Sequence, residues 1–239
     1  MIPKKVHYIW LGRGQKSNLS HICINSWKEK LSEFEICEWN EDNLDLDAIA
    51  SENRFFAECR KRKLWAYMTD YIRLLVLYRE GGIYLDTDVQ VLKSFDPLLE
   101  HSCFFGKEAK EYIGTGMIAC EPGNSVIKKV LDFYQDDIWE SPLFTIPSII
   151  THILNNTDLA DTVAVYPMEY FAPYDPWKPY DENCITKNTY CVHWFQANWI
   201  DNPGLRRFLS VKHIKNPVVK SAKIVKSEIG AIFRRLKLR

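Results

Sequence analysis

The sequence predicts an α/β chain, a Rossmann-like mixed sheet flanked by helices. Three patterns predict it. The first fifty residues alternate strand, loop, helix, strand and helix. An amphipathic helix over 64–79 then runs directly into a glycine pair and a short apolar strand. Strand and helix patterns continue to alternate as far as residue 155. At 239 residues and 46% hydrophobic, the chain can bury a sizeable core in one large domain or two small ones.

Val6–Leu11 is β-branched and aromatic and stops at Gly12, which gives a first strand followed by a loop. Residues 18–30 read as a helix with Asn18 or Ser20 as its cap and Ile22, Ile24 and Trp27 as apolar positions. Phe34–Trp39 is a second strand, with a helix expected from near Asp42. This opening is the pattern of a nucleotide-binding α/β layer. In the helix over 64–79, Leu64, Met68, Ile72, Leu75 and Leu77–Tyr78 supply the apolar face. Val89–Leu92 alternates like an edge strand, and Asp96-Pro97 turns the chain. Residues 103–106 and 114–120 read as strands, with Gly114-Thr115-Gly116 as a flexible turn. Residues 124–138 and 145–155 read as helices, 165–183 as Pro- and Tyr-rich loop, and 190–194 as a late strand ending near His193.

Charge divides the chain. Residues 205–239 hold eleven Lys or Arg and one acid, Glu228, whereas the other 204 residues hold twenty basic and thirty acidic residues, a net of −10. The expected organisation is a body over 1–204 and a basic C-terminal appendage over 205–239. In 218–238, Val218, Ala222, Val225, Ile229, Ile232, Phe233 and Leu236 step along one helix face while Lys220, Lys223, Lys226 and Arg234 lie mostly elsewhere. A basic amphipathic helix of this kind can lie on an anionic membrane surface, or its stripe can pack on the core; the lopsided charge favours the membrane. No nucleic-acid partner is expected. The seven scattered cysteines form no C-x-x-C pair, and the N-terminus lacks the apolar segment of a signal peptide. The expected location is cytoplasmic, peripheral at the inner face of the plasma membrane.

The chemistry concentrates in Gly81-Gly82-Ile83-Tyr84-Leu85-Asp86-Thr87-Asp88. Two carboxylates at i, i+2 on a strand end are costly to hold together without a cation or polar ligand between them. Their hard oxygens suit Mg²⁺ or Mn²⁺, ions that keep positions open for phosphates. Asp70 and Arg73, spaced i, i+3 on the preceding helix, can be a surface ion pair or can grip sugar hydroxyls and phosphate; their apolar neighbours favour the second. Trp10, at the end of the first strand, is either a core residue or a platform for a base. His193 is either structural or a further ligand for the carboxylate site.

Four blocks in order resemble glycosyltransferase family 32: Ile2–Gly12, Ser26-Trp27, Trp65-Ala66 with Thr69–Leu74, and Gly81–Asp88. That family includes bacterial capsule and lipopolysaccharide sugar transferases and resembles the catalytic domain of clostridial glucosylating toxins. The resemblance is strong over 1–120 and thinner afterwards. It implies a GT-A-type fold, a nucleotide-sugar donor, Mn²⁺ or Mg²⁺, and retention of anomeric configuration. By similarity, Trp10 stacks on the nucleobase, Thr69 touches the ribose, and Asp70 and Arg73 hold the sugar hydroxyls. Asp86 contacts ribose and sugar and joins Asp88 and His193 at the metal. Ile9, Tyr84 and Trp199 complete the implied donor site, although Asn198 stands where the family usually has Ser.

The function so implied is transfer of a sugar, from a UDP-hexose or UDP-N-acetylhexosamine, to a saccharide or lipid-linked saccharide in bacterial surface polysaccharide synthesis. Two alternatives are a haloacid-dehalogenase-like phosphatase and a non-catalytic nucleotide-sugar or glycan-binding protein. The strand ending in Asp86 and Asp88 resembles the phosphatase's first motif, but Val89-Gln90 follows where that family has Gly and then Thr or Val.

Overall fold

The computed structural model describes residues 1–196 and 203–226, with backbone alone for 203–206. Eight strands are present among the described residues: β1 (Lys5–Ile9), β2 (Glu35–Trp39), β3 (Gly82–Leu85), β4 (Val89–Val91), β5 (Cys103–Ala109), β6 (Tyr112–Cys120), β7 (Ala164–Tyr166) and β8 (Cys191–His193). The helices are α1 (Asn18–Lys30), α2 (Leu46–Glu52), α3 (Arg54–Lys61), α4 (Trp65–Glu80), α5 (Ser125–Gln135), α6 (Ile146–Asn156), α7 (Met168–Phe171) and α8 (Pro203–Ser210). Six strands form one mixed sheet in the order β2-β1-β3-β6-β5-β7, and β4 pairs with β8 in a second, two-stranded sheet. The β1–β2, β1–β3 and β5–β7 pairs are parallel; β3–β6 and β5–β6 are antiparallel.

Alternation along the central strands sends side chains into two cores, one on each face. Ile83, Leu85, Phe104, Met117 and Ala119 join Trp27 and Phe95 on one side. Tyr84, Cys103, Phe105, Ile118 and Cys120 join α4, α5 and α6 on the other. Helix α4 is buried on several faces, so Asp70 and Arg73 lie inside the protein rather than on its surface.

The turn from α4 into β3 is tightly built. Gly81 (φ 65°) and Gly82 (φ 93°) both occupy the left-handed half of backbone space. A Cβ on Gly82 would lie 2.8 Å from the Lys5 carbonyl oxygen and 3.0 Å from His7 Nε2; one on Gly81 would lie 2.6 Å from Pro122 Cδ. His7 is buried, accepts from Trp39 Nε1 at Nδ1 (3.1 Å), and so carries its proton on Nε2, which donates to the Gly81 carbonyl (2.9 Å). Burial holds its pKa below the ordinary value, consistent with this neutral tautomer.

The Ser26-Trp27 pair has a mechanical role. Trp27 Nε1 donates to the Val89 carbonyl (2.7 Å), and Ser26 Oγ accepts from Val91 N–H (2.9 Å). Helix α1 thereby holds the strand that follows the two aspartates.

Several elements depart from the sequence reading. Helix α1 is capped by Ser17, whose side chain accepts from Ser20 N–H. The helix expected near Asp42 starts only after Asp45 and breaks at Asn53. The Asn53 side chain caps α3 and also donates to the Tyr134 carbonyl, so one buried amide ends one helix and starts the next. The stretch 165–183 is not all loop: Ala164–Tyr166 joins the sheet edge, and α7 follows.

Residues 207–215, grouped by sequence with the appendage, lie on the body. Leu209 is buried in a core, Phe208 packs edge-on to Trp139, and Lys212 donates to the Ser141 and Leu143 carbonyls. Residues 217–226 are helical, with Val218, Val219 and Val225 exposed. The remainder of the expected 218–238 helix lies outside the described residues, as do Asn198 and Trp199. Among the described residues, no helix is long and apolar enough to cross a membrane, and all seven cysteines are unpaired.

Replacing Gly82 with Ala forces a Cβ against backbone at a positive φ. The expected result is a loss of about 1–3 kcal/mol of stability in urea unfolding; an unchanged midpoint would contradict the close approach of β1.

Candidate active site

Strands β1 and β3 end, β5 ends and β6 begins at one edge of the sheet, the edge where ligands bind in open α/β folds. Asp86 follows β3 there, with its N–H donating to the Gly116 carbonyl (2.8 Å). Its Oδ1 accepts from Tyr84 Oη (2.7 Å) and lies 3.3 Å from Arg73 Nη1. Arg73 Nη2 meets Asp70 Oδ1 at 3.0 Å, and Nη1 donates to the Thr115 carbonyl (2.7 Å). The guanidinium stacks over the Tyr84 ring, 4.4 Å from its centroid. Arg73 Nε is buried without a hydrogen-bond partner.

This arrangement perturbs the charges in opposite directions. Burial, helped by the Asp86 charge, raises Asp70 to about 7, although Arg73 opposes the shift. Burial also opposes the charge on Arg73, but Asp86, Tyr84 and Asp70 outweigh it and hold the guanidinium above its ordinary pKa. The Ile146 N–H, at the start of α6, faces Asp70 and slightly favours its charged form; Thr145 supplies no side-chain cap there.

The second carboxylate is held by the end of the chain. The β4–β8 ladder places His193 opposite Val89, with His193 Nε2 3.3 Å from Asp88 Oδ1. Gln196 N–H donates to Asp88 Oδ2 (2.8 Å), and Trp194 N–H donates to the Asp88 carbonyl (2.9 Å). Burial opposes ionisation of Asp88, yet these partners bring its pKa below the ordinary value; burial opposes charge on His193, yet Asp88 raises it. Phe195 packs on the His193 ring with centroids 4.1 Å apart and adopts φ 49°, a costly conformation for a non-glycine residue.

Asp86, Asp88 and His193 bring ligand atoms within 4.8 Å of one another. Two carboxylates and an imidazole can hold a divalent cation, and this set fits Mn²⁺ or Mg²⁺.

The other expected residues are less closely gathered. Trp10 lies just beyond β1, half-buried, with Nε1 donating to the Gly14 carbonyl and Lys16 Nζ 5.5 Å from its ring. The Ile9 side chain is buried in the core, and Thr69 is half-buried on α4. Tyr84 is buried beneath Arg73 and reaches the site through its hydroxyl.

Sequence reasoning missed three contributors. The Gly114-Thr115-Gly116 stretch is not a loose turn: its middle carbonyl receives Arg73, and a Cβ on Gly116 would lie 2.7 Å from His193 Nδ1. The Gln196 amide and the Glu108 carboxyl were not singled out. Glu108 faces His193, Asp86 and Arg73; burial raises its pKa, His193 opposes this, Asp86 adds to it and Arg73 opposes it. The glycines flanking Thr115 signalled close approach, but a backbone donor or carbonyl carries no residue signature.

Residues 17–105 match the family described as the glycosyltransferase sugar-binding region containing a DXD motif. The matched stretch is somewhat over a third of the chain and holds β3 with both carboxylates that follow it. Two Asp-x-Asp triplets lie in it, Asp45-Leu46-Asp47 and Asp86-Thr87-Asp88, and only the second stands with His193 at the end of β3. Glucan organizing enzyme 1 of Cryptococcus neoformans var. grubii is 34% identical over 86 residues, 32% of this chain and 24% of that protein. Inositol phosphoceramide mannosyltransferase 3 of Schizosaccharomyces pombe is 21% identical over 133 residues, 54% of this chain and 36% of that protein. The chain thus spans about a quarter to a third of the length of these relatives. The solved PaToxG glycosyltransferase superposes with a TM-score of 0.50 at 20% identity, over 63% of this chain and 68% of that one. The fold around the sugar-binding region is therefore the expected GT-A type.

The Asp70 shift has a sign that can be tested. Its folded pKa, about 7, exceeds the ordinary value of 3.8, so the folded chain holds an extra proton between those values. Stability then falls as pH rises through that window, by at most about 1.4 kcal/mol per pH unit. Urea unfolding of chelator-treated protein should show a flatter pH dependence for Asp70→Asn than for wild type; equal slopes would refute the assignment.

Proposed function

We propose that the chain is a metal-dependent retaining glycosyltransferase. It moves a hexosyl or N-acetylhexosaminyl unit from a UDP-sugar to a saccharide acceptor, free or lipid-linked, in the synthesis of bacterial capsule, exopolysaccharide or lipopolysaccharide. The observation that carries this reading is the convergence of Asp86, Asp88 and His193 beside the buried Asp70–Arg73 pair. The match to the sugar-binding region supports it.

Asp86, Asp88 and His193 would hold the cation, which when bound neutralises charge on a diphosphate. Arg73, fixed by three oxygen partners, presents a charge that cannot be lost at working pH and orients Asp86. Asp70 and Asp86 accept hydrogen bonds from the hydroxyls of the transferred sugar, and Trp10 offers a face to the base. As the bond from C1 to the diphosphate breaks, its electron pair leaves with the diphosphate. The acceptor oxygen bonds C1 on the vacated face, giving retention.

The phosphatase alternative requires Asp86 as a free nucleophile. Its Oδ1 is engaged by Tyr84 and Arg73, which disfavours that role. The fission-yeast relative is a mannosyltransferase, which brings a mannosyl donor into the set to be screened.

We also place the basic C-terminal helix on an anionic membrane. The exposure of Val218, Val219 and Val225 supports this over packing on the core.

A Mn²⁺-dependent hydrolysis screen over UDP- and GDP-sugars should find a donor, and Asp88→Ala should lower that turnover by 100-fold or more (on the order of 3 kcal/mol). Activity that survives the substitution would refute the metal assignment, and nucleotide-sugar binding without turnover would favour the binding-protein alternative. Deleting residues 217–239 should reduce co-sedimentation with phosphatidylserine vesicles at low salt; unchanged sedimentation would refute membrane contact.

A further inference from the structure

Lys212 is buried, only 9% exposed, and no carboxylate among the described residues pairs with it. Its Nζ instead donates to the Ser141 carbonyl (2.6 Å) and the Leu143 carbonyl (2.7 Å). Burying an ammonium group against two neutral acceptors is costly, because carbonyls return only part of the lost hydration. Burial accordingly holds the amine below its ordinary pKa, at about 8. A Met of similar length would fill the space without that cost. The lysine therefore marks a place where the chain needs a donor rather than volume.

The two carbonyls flank Pro142 in a turn where Leu143 N–H also donates to Ser141 Oγ (3.1 Å). Two carbonyl oxygens aimed at one point repel each other unless a donor stands between them. Lys212 is that donor, so it fixes the shape of the turn. The chain then passes directly to Asp70. Phe144 packs on Tyr67, one turn before Asp70 on α4, with ring centroids 6.0 Å apart. Ile146 opens α6, and its N–H faces Asp70 and favours the charged carboxylate. The local sequence leaves this N–H to Asp70: Thr145 Oγ1 is engaged with Ser148 Oγ (2.8 Å), and Pro147 has no N–H.

The segment that carries Lys212 is anchored without it. Leu209 and Val211 are buried, and Phe208 lies against Trp139 and beneath Arg62, whose guanidinium carbon is 3.9 Å from the ring centroid. Lys215 pairs with Glu140 (2.8 Å). Residues 207–215 thus form a strap across the stretch 139–146, and both stretches lie outside the matched residues 17–105. The strap is fixed on either side of Lys212, so changing that side chain alters the turn without releasing the strap.

We infer that Lys212 is a positioning residue for sugar binding: by gathering the Ser141 and Leu143 carbonyls it holds the Ile146 N–H against Asp70, and so keeps that carboxylate aimed at the hydroxyls of the transferred sugar. The part played by Asp70 rests on the transferase reading above; the link from Lys212 to Ile146 does not. A lysine far along the chain thereby acts on the sugar without touching it, through a turn and one backbone N–H.

Amide exchange by NMR and donor kinetics test it together. In Lys212→Met, the Ile146 amide should exchange about tenfold faster or more, while the amides of β1 and β3 keep their rates. In hydrolysis of the donor that the screen identifies, kcat/KM should fall about fivefold or more, while the Ki of the nucleoside diphosphate product stays unchanged. Lys212→Arg, which still donates, should recover a large part of both. Lys215→Ala, which removes the exposed pair with Glu140, should change neither. Lys212→Gln, whose amide reaches at most one of the two carbonyls, supplies the same two readouts where the methionine variant does not fold. An unchanged Ile146 exchange rate in folded Lys212→Met or Lys212→Gln would overturn the inference. So would faster exchange with undiminished kcat/KM, or an equal rise in the nucleoside diphosphate Ki. Failure of wild type to bind any nucleotide-sugar would remove the transferase reading, while the exchange data would still decide the link between Lys212 and Ile146.

Discussion

The Arg73 guanidinium is the interaction on which the site depends. One buried cation is bound by Asp70, Asp86 and the Thr115 carbonyl and lies over the face of Tyr84. Each partner comes from a different part of the fold: the same helix, the end of β3, the start of β6 and the middle of β3. Breaking a buried ion pair by removing one partner costs on the order of 3–5 kcal/mol, because the other charge is left desolvated. Here two carboxylates depend on the same cation. Arg73 offsets only part of the cost of holding Asp70 and Asp86 close together in a poorly solvated place, and Asp70 keeps its proton to a higher pH than an ordinary carboxyl.

Around that cation the backbone is brought close by small residues. Gly82 lets β3 approach β1, and Gly116 makes room for His193. The His7 ring fixes the turn from α4, and α1 grips β4 through Trp27 and Ser26. The aspartates are therefore clamped from before and after. Such clamping leaves the two carboxylates little freedom to rearrange.

Much of this was legible in the sequence. The strand ending in Asp86 and Asp88 was visible because two charges follow an apolar run. The helix before it was visible because its apolar positions are frequent, although they wrap around α4 rather than lining one face, which is why Asp70 and Arg73 are buried. What was not legible has a common cause. Thr115 and Gln196 contribute through the backbone, and Glu108 reaches His193 and Asp86 because a bulge turns it. Neither a carbonyl's direction nor a slip in strand register is written in residue type. The break between α2 and α3 was hidden similarly, since Asn53 is an ordinary polar residue until Tyr134 comes near. Strand β7 was missed because three residues beside Pro167 carry little periodic signal.

The pairing of β4 with β8 bears on the order in which this protein becomes competent. The Gln196 amide that holds Asp88 comes 108 residues after it in the chain, and His193 is almost as distant. During synthesis, β1, β2, β3, β5 and β6 can assemble with the core around α4 and α5 while Asp88 still lacks these partners. The Asp86–Asp88–His193 cluster is thus completed late in biogenesis, by a segment whose described part adds one three-residue strand to the sheets. A chain released before residue 191 would keep most of its hydrophobic core and have no third donor. Interrupted translation would then yield a folded body in which Asp88 has lost both the imidazole and the amide that hold it.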